Sequence, residues 1–266
     1  MLVVSNSSNA FDSQIRTDAA IRPLNARSLA LSALLGTHPP QLPARAFVAL
    51  ARLFDIPSGT MRTALSRMLA NGEIVRDEGR YLLGGHLLDR QRAQDTGRRD
   101  ARLDWDGRWH TIVTATDQRD VAERRRFRSM MANHRFGELR PDIWMRPANL
   151  TGPHAPPEWI STSGSLDGID PESLVRRLWD LDAIAAEAHR FVHRMDELET
   201  TTDRHDVGSI PEVFTTSAAI VRFLRSEPLL PPELTPAGWP VSDLRRSYDR
   251  FERSLQALLR SFLRSA

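Results

Sequence analysis

The chain has 266 residues, 41% of them hydrophobic and 26% charged, which fits an ordinary globular protein of about two or three compact units and excludes a fibrous or wholly disordered chain. It has no cysteine, so disulfide frameworks, thiolate nucleophiles and Cys-ligated zinc are excluded. The net charge is only +2 but uneven: residues 1–110 hold 15 Arg against 11 acids, residues 111–150 hold 8 against 5, and residues 151–266 hold 13 against 18, all 36 basic residues being arginine. A positive front and a negative back suit a protein whose first half meets phosphate.

Residues 1–23 are rich in Ser and Asn with little periodicity and are expected to be a flexible tail. No uninterrupted apolar run approaches the roughly 18 residues of a spanning helix, and no basic-then-apolar signal precedes Arg16. A cytoplasmic chain with no membrane partner is expected.

A domain is expected over residues 24–88. Leu24, Leu29, Leu31, Leu34 and Leu35 have helical spacing up to a stop at Gly36 to Pro40. Pro43 opens a second helix with Phe47, Leu50, Ala51 and Phe54 on one side, broken at Asp55-Ile56-Pro57. Ser58 stands where an N-cap belongs, Met61, Ala64, Leu65 and Met68 follow at i, i+3, i+4, i+7, and Asn71-Gly72 supplies a C-cap. The other face of this third helix carries Thr60, Arg62, Thr63, Ser66 and Arg67, with no acid among them. Residues 73–76 and 80–83 read as two strands around the Gly79 turn, bearing Arg76 and Arg80. Helix, helix, turn, basic helix and hairpin is the winged helix-turn-helix plan, whose last helix enters the major groove of double-stranded DNA. Ser58, Thr60, Arg62, Thr63, Ser66, Arg67, Arg76 and Arg80 are the candidate DNA contacts; a winged module used for protein contacts is the plainer alternative.

Residues 89–104 are polar and read as a linker. A middle unit is expected over 105–165: Trp105-Asp106-Gly107-Arg108-Trp109, a strand from His110 to Ala115, a basic helix from about Asp117 to His134 with Asp117 as its N-cap, and a segment from Phe136 to Pro147. Trp105, Trp109 and Trp144 read as core anchors, and Arg124, Arg125, Arg126 and Arg128 as a solvated face. The last unit, 166–266, opens on a Ser/Gly/Asp loop. Ile184, Ala188, Phe191, Met195 and Leu198 share one helix stripe, Pro211 starts a helix with Val213, Phe214, Ile220, Val221 and Leu224 that Pro228 ends, and Leu244, Tyr248, Phe251, Leu255, Leu258 and Phe262 share a third. Such stripes make a helical bundle.

Four segments together resemble one family, the PaaX-type repressors of phenylacetic acid degradation. They are Met61 to Met68, Trp105 to Trp109 with Phe136-Gly137 to Trp144-Met145-Arg146-Pro147, Leu174 to Leu181 (Leu-Val-Arg-Arg-Leu-Trp-Asp-Leu), and Leu230 to Pro240 (Leu-Pro-Pro-Glu-Leu-Thr-Pro-Ala-Gly-Trp-Pro). In the family's order they cover about residues 24–264. The resemblance implies an α+β chain of three domains: a winged helix, a ferredoxin-like middle domain akin to small CRISPR-associated endonucleases, and a helical C-terminal domain for effector and dimer contacts. It further implies a homodimeric repressor on an inverted-repeat operator, released by an aromatic acyl-coenzyme A such as phenylacetyl-coenzyme A, with no cofactor. Arg176, Arg177, Trp179 and Trp239 are the candidate effector contacts. The segment Gly36 to Pro40 departs from the Gly-rich stretch that follows the family's first helix.

Two alternatives remain on residues alone. A metal-dependent nuclease needs clustered carboxylates, and only Asp117 and Asp120 follow the first strand of the middle unit. His189 and His193 have zincin spacing, but Arg190 stands where the catalytic Glu belongs. A winged-helix regulator answering to another acidic metabolite or to a protein is the second.

Overall fold

A computed structural model describes residues 21, 23–85, 87–88, 91, 102–114, 120–151, 159–203 and 206–265. It is a mixed α+β structure with two small antiparallel sheets. The chain divides into two compact units, one drawn from 97–190 and 222–242, the other from 21–96, 191–221 and 243–266.

In the second of these units α1 (Ala26–Leu35), β1 (Gln41–Pro43), α2 (Ala44–Leu53), α3 (Ser58–Ala70), β2 (Ile74–Asp77) and β3 (Arg80–Leu83) follow in order. Asn25 caps α1 by accepting from the Ser28 amide at 2.9 Å. The core is Leu29, Leu34, Phe47, Leu50, Met61, Leu65, Met68, Ile74 and Leu83, all buried. The strands form a sheet of order β1-β3-β2. β1 escaped the sequence reading because its three residues, Gln-Leu-Pro, are too few to show an alternation.

The N-cap of α3 is Pro57, with no side-chain cap, so Ser58 is the first helical residue and not the expected N-cap. The extended backbone that proline imposes places the boundary one residue early. At the other end the Glu73 amide donates to the Met68 carbonyl at 2.9 Å and the Gly72 amide to Leu69 at 3.0 Å, while Gly72 has φ +66°. This closes the helix in a Schellman motif.

Helices α6 (Leu181–Asp203), α7 (Ile210–Ser226) and α8 (Val241–Ser265) have residues in both units. Their apolar stripes are buried as the spacing predicts, except Val221 and Phe262, which stay partly exposed. Within the second unit Phe54 meets Phe214 edge to face at 5.7 Å and Ser217 hydrogen-bonds Tyr248 at 2.9 Å. Among the described residues one span, Val207–Ser226, is long and apolar enough to cross a membrane by length and composition. Its Val213, Ala219, Ile220 and Phe223 are 0% exposed, so its apolarity is used in packing.

The first unit holds β4 (Trp109–Val113), α4 (Val121–Asn133), β5 (Gly137–Arg140), β6 (Ile143–Pro147), β7 (Ile160–Gly164) and α5 (Pro171–Leu178). Its sheet has the order β5-β6-β4-β7, every pairing antiparallel. Ile112, Met131, Phe136 and Trp144 form a cluster with Phe127, Met130 and Trp159 packed on it. Trp109 and Trp144 are core residues, and the half-buried Trp105 meets Trp109 edge to face at 6.0 Å. α4 begins later than expected: Asp120 is its N-cap, in a capping box with Glu123, whose amide donates to Asp120 at 2.7 Å. The expected cap, Asp117, lies outside the described residues, as does most of the expected linker; Gln91 is buried and donates to the Leu35 carbonyl at 3.0 Å.

Gly137 has a steric reason. A Cβ there would lie 2.7 Å from Leu178 Cβ and 2.9 Å from its carbonyl oxygen, so the end of α5 approaches β5 only over a glycine. The Pro-rich segment after α7 is held by side chains of the same unit. Arg102 donates to the Leu230 carbonyl at 2.8 Å and Asn149 to Leu229 at 2.9 Å. Arg135 donates to the carbonyls of Leu224, at 3.0 Å, and Glu227, and pairs with the Glu227 carboxylate. Arg135 sits at φ +63° just past α4, a position where glycine is usual, and the buried pair is what its side chain gains there.

Removing one member of a buried ion pair strands the other, at about 3–5 kcal/mol. Glu227→Ala is expected to destabilise the first unit by that order. All six tryptophans fall within that unit's residues, so urea unfolding followed by tryptophan fluorescence reads it directly, and an unchanged midpoint would deny the pair this role.

Candidate functional site

The face of α3 is set by what its other side buries. Met61, Leu65 and Met68 are 0%, 3% and 1% exposed and pack with α1, α2 and β2. At 100° per residue this leaves Thr60, Arg62, Thr63, Ser66 and Arg67 outward, and all five are exposed. Thr63 turns its hydroxyl back to the Gly59 carbonyl at 3.0 Å, whereas no hydrogen bond or ion pair joins the side chain of Arg62 or Arg67 to another described residue. Ser58 is only partly exposed. Neither α2 nor α3 has an acid in its first turn, where one would ordinarily be favoured.

The hairpin is fixed beside this helix. Asp77 pairs with Arg80 across Glu78-Gly79, both with positive φ, +43° and +77°, the geometry of a two-residue type I′ turn. Glu73 receives a two-pronged bond from Arg27 of α1, at 2.9 and 3.2 Å, and Tyr81 meets Phe47 of α2 edge to face at 5.6 Å. Arg80 is exposed at the turn, while the exposed Arg76 leans over Tyr81 with its guanidinium carbon 6.0 Å from the ring centroid. The structure thus brings Thr60, Arg62, Thr63, Ser66 and Arg67 onto one helix face and Arg76 and Arg80 onto the adjoining hairpin.

Sequence reasoning missed two residues here. Arg45 is exposed in the first turn of α2, and a cation at a helix N-terminus, against the helix dipole, was the available signal. Gly84 lies where the hairpin returns: a Cβ there would meet the Gly72 carbonyl oxygen at 2.1 Å. Nothing in the local sequence marks that approach.

The expected effector residues lie in the first unit. Arg176 and Arg177 are exposed on α5, Trp239 is half-buried, and Trp179 is 2% exposed, beneath Gly137. Among the described residues no three of His, Asp and Glu come together as a metal site. His193 is exposed and pairs with Glu197 at 3.1 Å.

Three family models match in succession: PaaX-like protein over residues 25–87, PaaX protein central Cas2-like domain over 102–154, and PaaX-like protein C-terminal domain over 179–265. The chain belongs to the PaaX family. The solved structure of the uncharacterized protein Rv0674 from Mycobacterium tuberculosis is similar to this PaaX-family chain at 34% identity and a TM-score of 0.66, over 90% of this chain and 99% of that one. No curated protein matches. The first match spans every element from α1 to β3, the second spans β4 to β6, and the third takes in Trp179 and Trp239 but not Arg176 or Arg177. PaaX membership points to a transcriptional regulator of phenylacetic acid degradation.

The two glycines near the α3 face predict opposite outcomes. Gly84→Ala should cost about 1–3 kcal/mol or more through the backbone clash, whereas Gly59→Ala, with open space around the new methyl, should be neutral or stabilise by up to about 1 kcal/mol. Thermal melts of the two variants check this, and equal midpoints would contradict the assigned contact.

Proposed function

We propose that this chain is a DNA-binding repressor that reads an inverted-repeat operator as a homodimer through a winged helix-turn-helix. The observation that carries the proposal is the exposed, acid-free face of α3, with Arg62 and Arg67 making no ion pair to another described residue, beside a rigid hairpin that bears Arg80. α3 is the recognition helix, β2 and β3 are the wing, and β1 is the short third strand that ties the wing to the helices. Arg62 and Arg67 point where a recognition helix meets base edges, and an Arg bidentate to guanine discriminates by about 1–3 kcal/mol. Arg80, on the wing, meets the phosphate backbone, and Arg76, Thr60, Thr63, Ser66 and Ser58 complete the contact set. A lone reading helix offers few contacts, which is why two-fold symmetric binding is part of the proposal.

The middle unit is ferredoxin-like in this reading. Its strand order β5-β6-β4-β7, with α4 between β4 and β5, is the strand order of a ferredoxin-like sheet, the next described helix, α5, coming after β7, and the central family model is Cas2-like. Of the two acids that follow its first strand, Asp120 is engaged in capping α4. The effector is an aromatic acyl-coenzyme A such as phenylacetyl-coenzyme A, for which the exposed Arg176 and Arg177 are the phosphate contacts and the half-buried Trp239 the aromatic one, whereas Trp179, expected as a second aromatic contact, is packed in the core beneath Gly137.

Arg62→Ala and Arg67→Ala should weaken operator binding more than random-DNA binding, while Arg80→Ala should weaken both alike and flatten the salt dependence by about one phosphate contact. Parallel titrations at several salt concentrations make the comparison. Equal losses on both DNAs for all three would reduce this face to unspecific charge. For the effector, phenylacetyl-coenzyme A at about 100 times its Kd should add roughly 2.7 kcal/mol of stability, seen as a thermal shift that free phenylacetate does not give.

A further inference from the structure

The first unit contains a buried cation, Arg146, that no carboxylate among the described residues pairs with. Arg146 of β6 is 3% exposed and its side chain lies over Phe136, 5.0 Å from guanidinium carbon to ring centroid. Its Nη2 reaches the carbonyls of Leu150 and Thr151 only at 3.4 Å each, and its Nε has no hydrogen-bond partner. Good N–H···O bonds run at about 2.7–3.2 Å, so these are weak. Arg135 shows what a matched buried arginine looks like in this unit: it has the Glu227 carboxylate and two carbonyls. Arg146 has no carboxylate partner among the described residues.

What the described residues place around Arg146 does not supply a counter-charge. His110 of β4 stands directly opposite it in the strand register, is half-buried, and so carries this part of the sheet toward solvent. Burial first, then Arg146 and Arg108, hold His110 below the ordinary histidine range, with Asp106 opposing. Partial burial and then Arg146 do the same to His134 at the end of α4. Arg146 itself is pushed down to about 10 by burial and by Arg135, so it remains charged at neutral pH. Among the described residues the acids of the neighbourhood are engaged: Glu138 with Arg128 at 3.0 Å, and Asp106 with the Arg108 amide at 3.1 Å. Burying a charge without a counter-charge is costly, and a cation–π contact returns only part of that.

We propose that Arg146, with His110 beside it and His134 nearby, is the charged floor of an anion site in this unit, and that its ligand is a tetrahedral oxyanion, a free phosphate or sulfate or the phosphate end of a metabolite. The buried guanidinium supplies its charge from beneath, its Nε being enclosed, and His110 supplies a donor at the accessible side. The site does not depend on the DNA reading, since its ligand is met within one unit and its test uses no nucleic acid.

The test is thermal unfolding of the full chain in sulfate against chloride at equal ionic strength, followed by tryptophan fluorescence, with phenyl phosphate as a second probe. Wild type should show a saturable rise in Tm of about 5 °C or more at a hundredfold excess over Kd. Arg146→Met should abolish the rise, while general effects of anions on this arginine-rich surface persist in both proteins. A rise with sulfate alone identifies a free-ion site, and a rise with both probes identifies one that takes the end group of a larger molecule. His110→Asn leaves the core arginine in place and should at least halve the rise, which keeps the test valid where Arg146→Met does not fold. An equal rise in wild type and Arg146→Met, an undiminished rise in His110→Asn, or none in wild type overturns the site.

Discussion

The interface proposed for α3 depends on three side chains leaving water. Met61, Leu65 and Met68 are almost fully buried, each contributing about 1.5–3 kcal/mol relative to exposure. Because they recur at 4-3 spacing, they fix the rotation of α3 about its axis, and the rotation alone decides that Thr60, Arg62, Thr63, Ser66 and Arg67 face outward. Polar side chains on such a face do not hold the helix in place and are free to vary with what they touch. The Schellman closure at Gly72 then starts β2 at a fixed angle, and the clearance at Gly84 lets β3 return beneath it.

Arginine has two roles in the first unit. Arg135 accepts a left-handed backbone, which costs about 1 kcal/mol or more for a residue with a side chain, and through Glu227 ties the end of α4 to the chain after α7. Asn149 and Arg102 add two more bonds to the same Pro-rich segment, whose order therefore comes from donors far away in sequence. Arg146 lies nearby with its charge unmatched. Buried cations of opposite status in one unit are difficult to account for as packing alone, since an apolar side chain of similar volume would fill the space of Arg146 at lower cost.

Family membership and the geometry meet at definite residues. The Phe136-Gly137 pair recognisable in sequence has a physical origin in each member: Phe136 lies in the core and under Arg146, while Gly137 admits the end of α5. The Trp-Met-Arg-Pro segment is β6, the strand that pairs with both β4 and β5. These motifs are chiefly folding motifs. The residues proposed to read DNA fall outside the tight core, on the outer face of α3 and at the hairpin turn.

Hydrophobic spacing in the sequence was sufficient to locate α1, α2, α3 and the hairpin, the inner and outer faces of α3, and the stripes of α6, α7 and α8, because each depends on neighbours within about one or two turns. It misplaced the caps of α3 and α4, since Ser58 and Asp117 are plausible caps by type and only the path of the backbone selects Pro57 and Asp120. β1 was invisible, being a strand only because β3 lies alongside. The pairing of Arg135 with Glu227 joins residues 92 apart, and the close approaches at Gly84 and Gly137 involve backbone from other elements, so only the tertiary structure decided them. The same holds for Arg146: in sequence it is one arginine among 36, and its lack of a counter-charge among the described residues exists only once the chain has folded around it and excluded the water that would otherwise have solvated it.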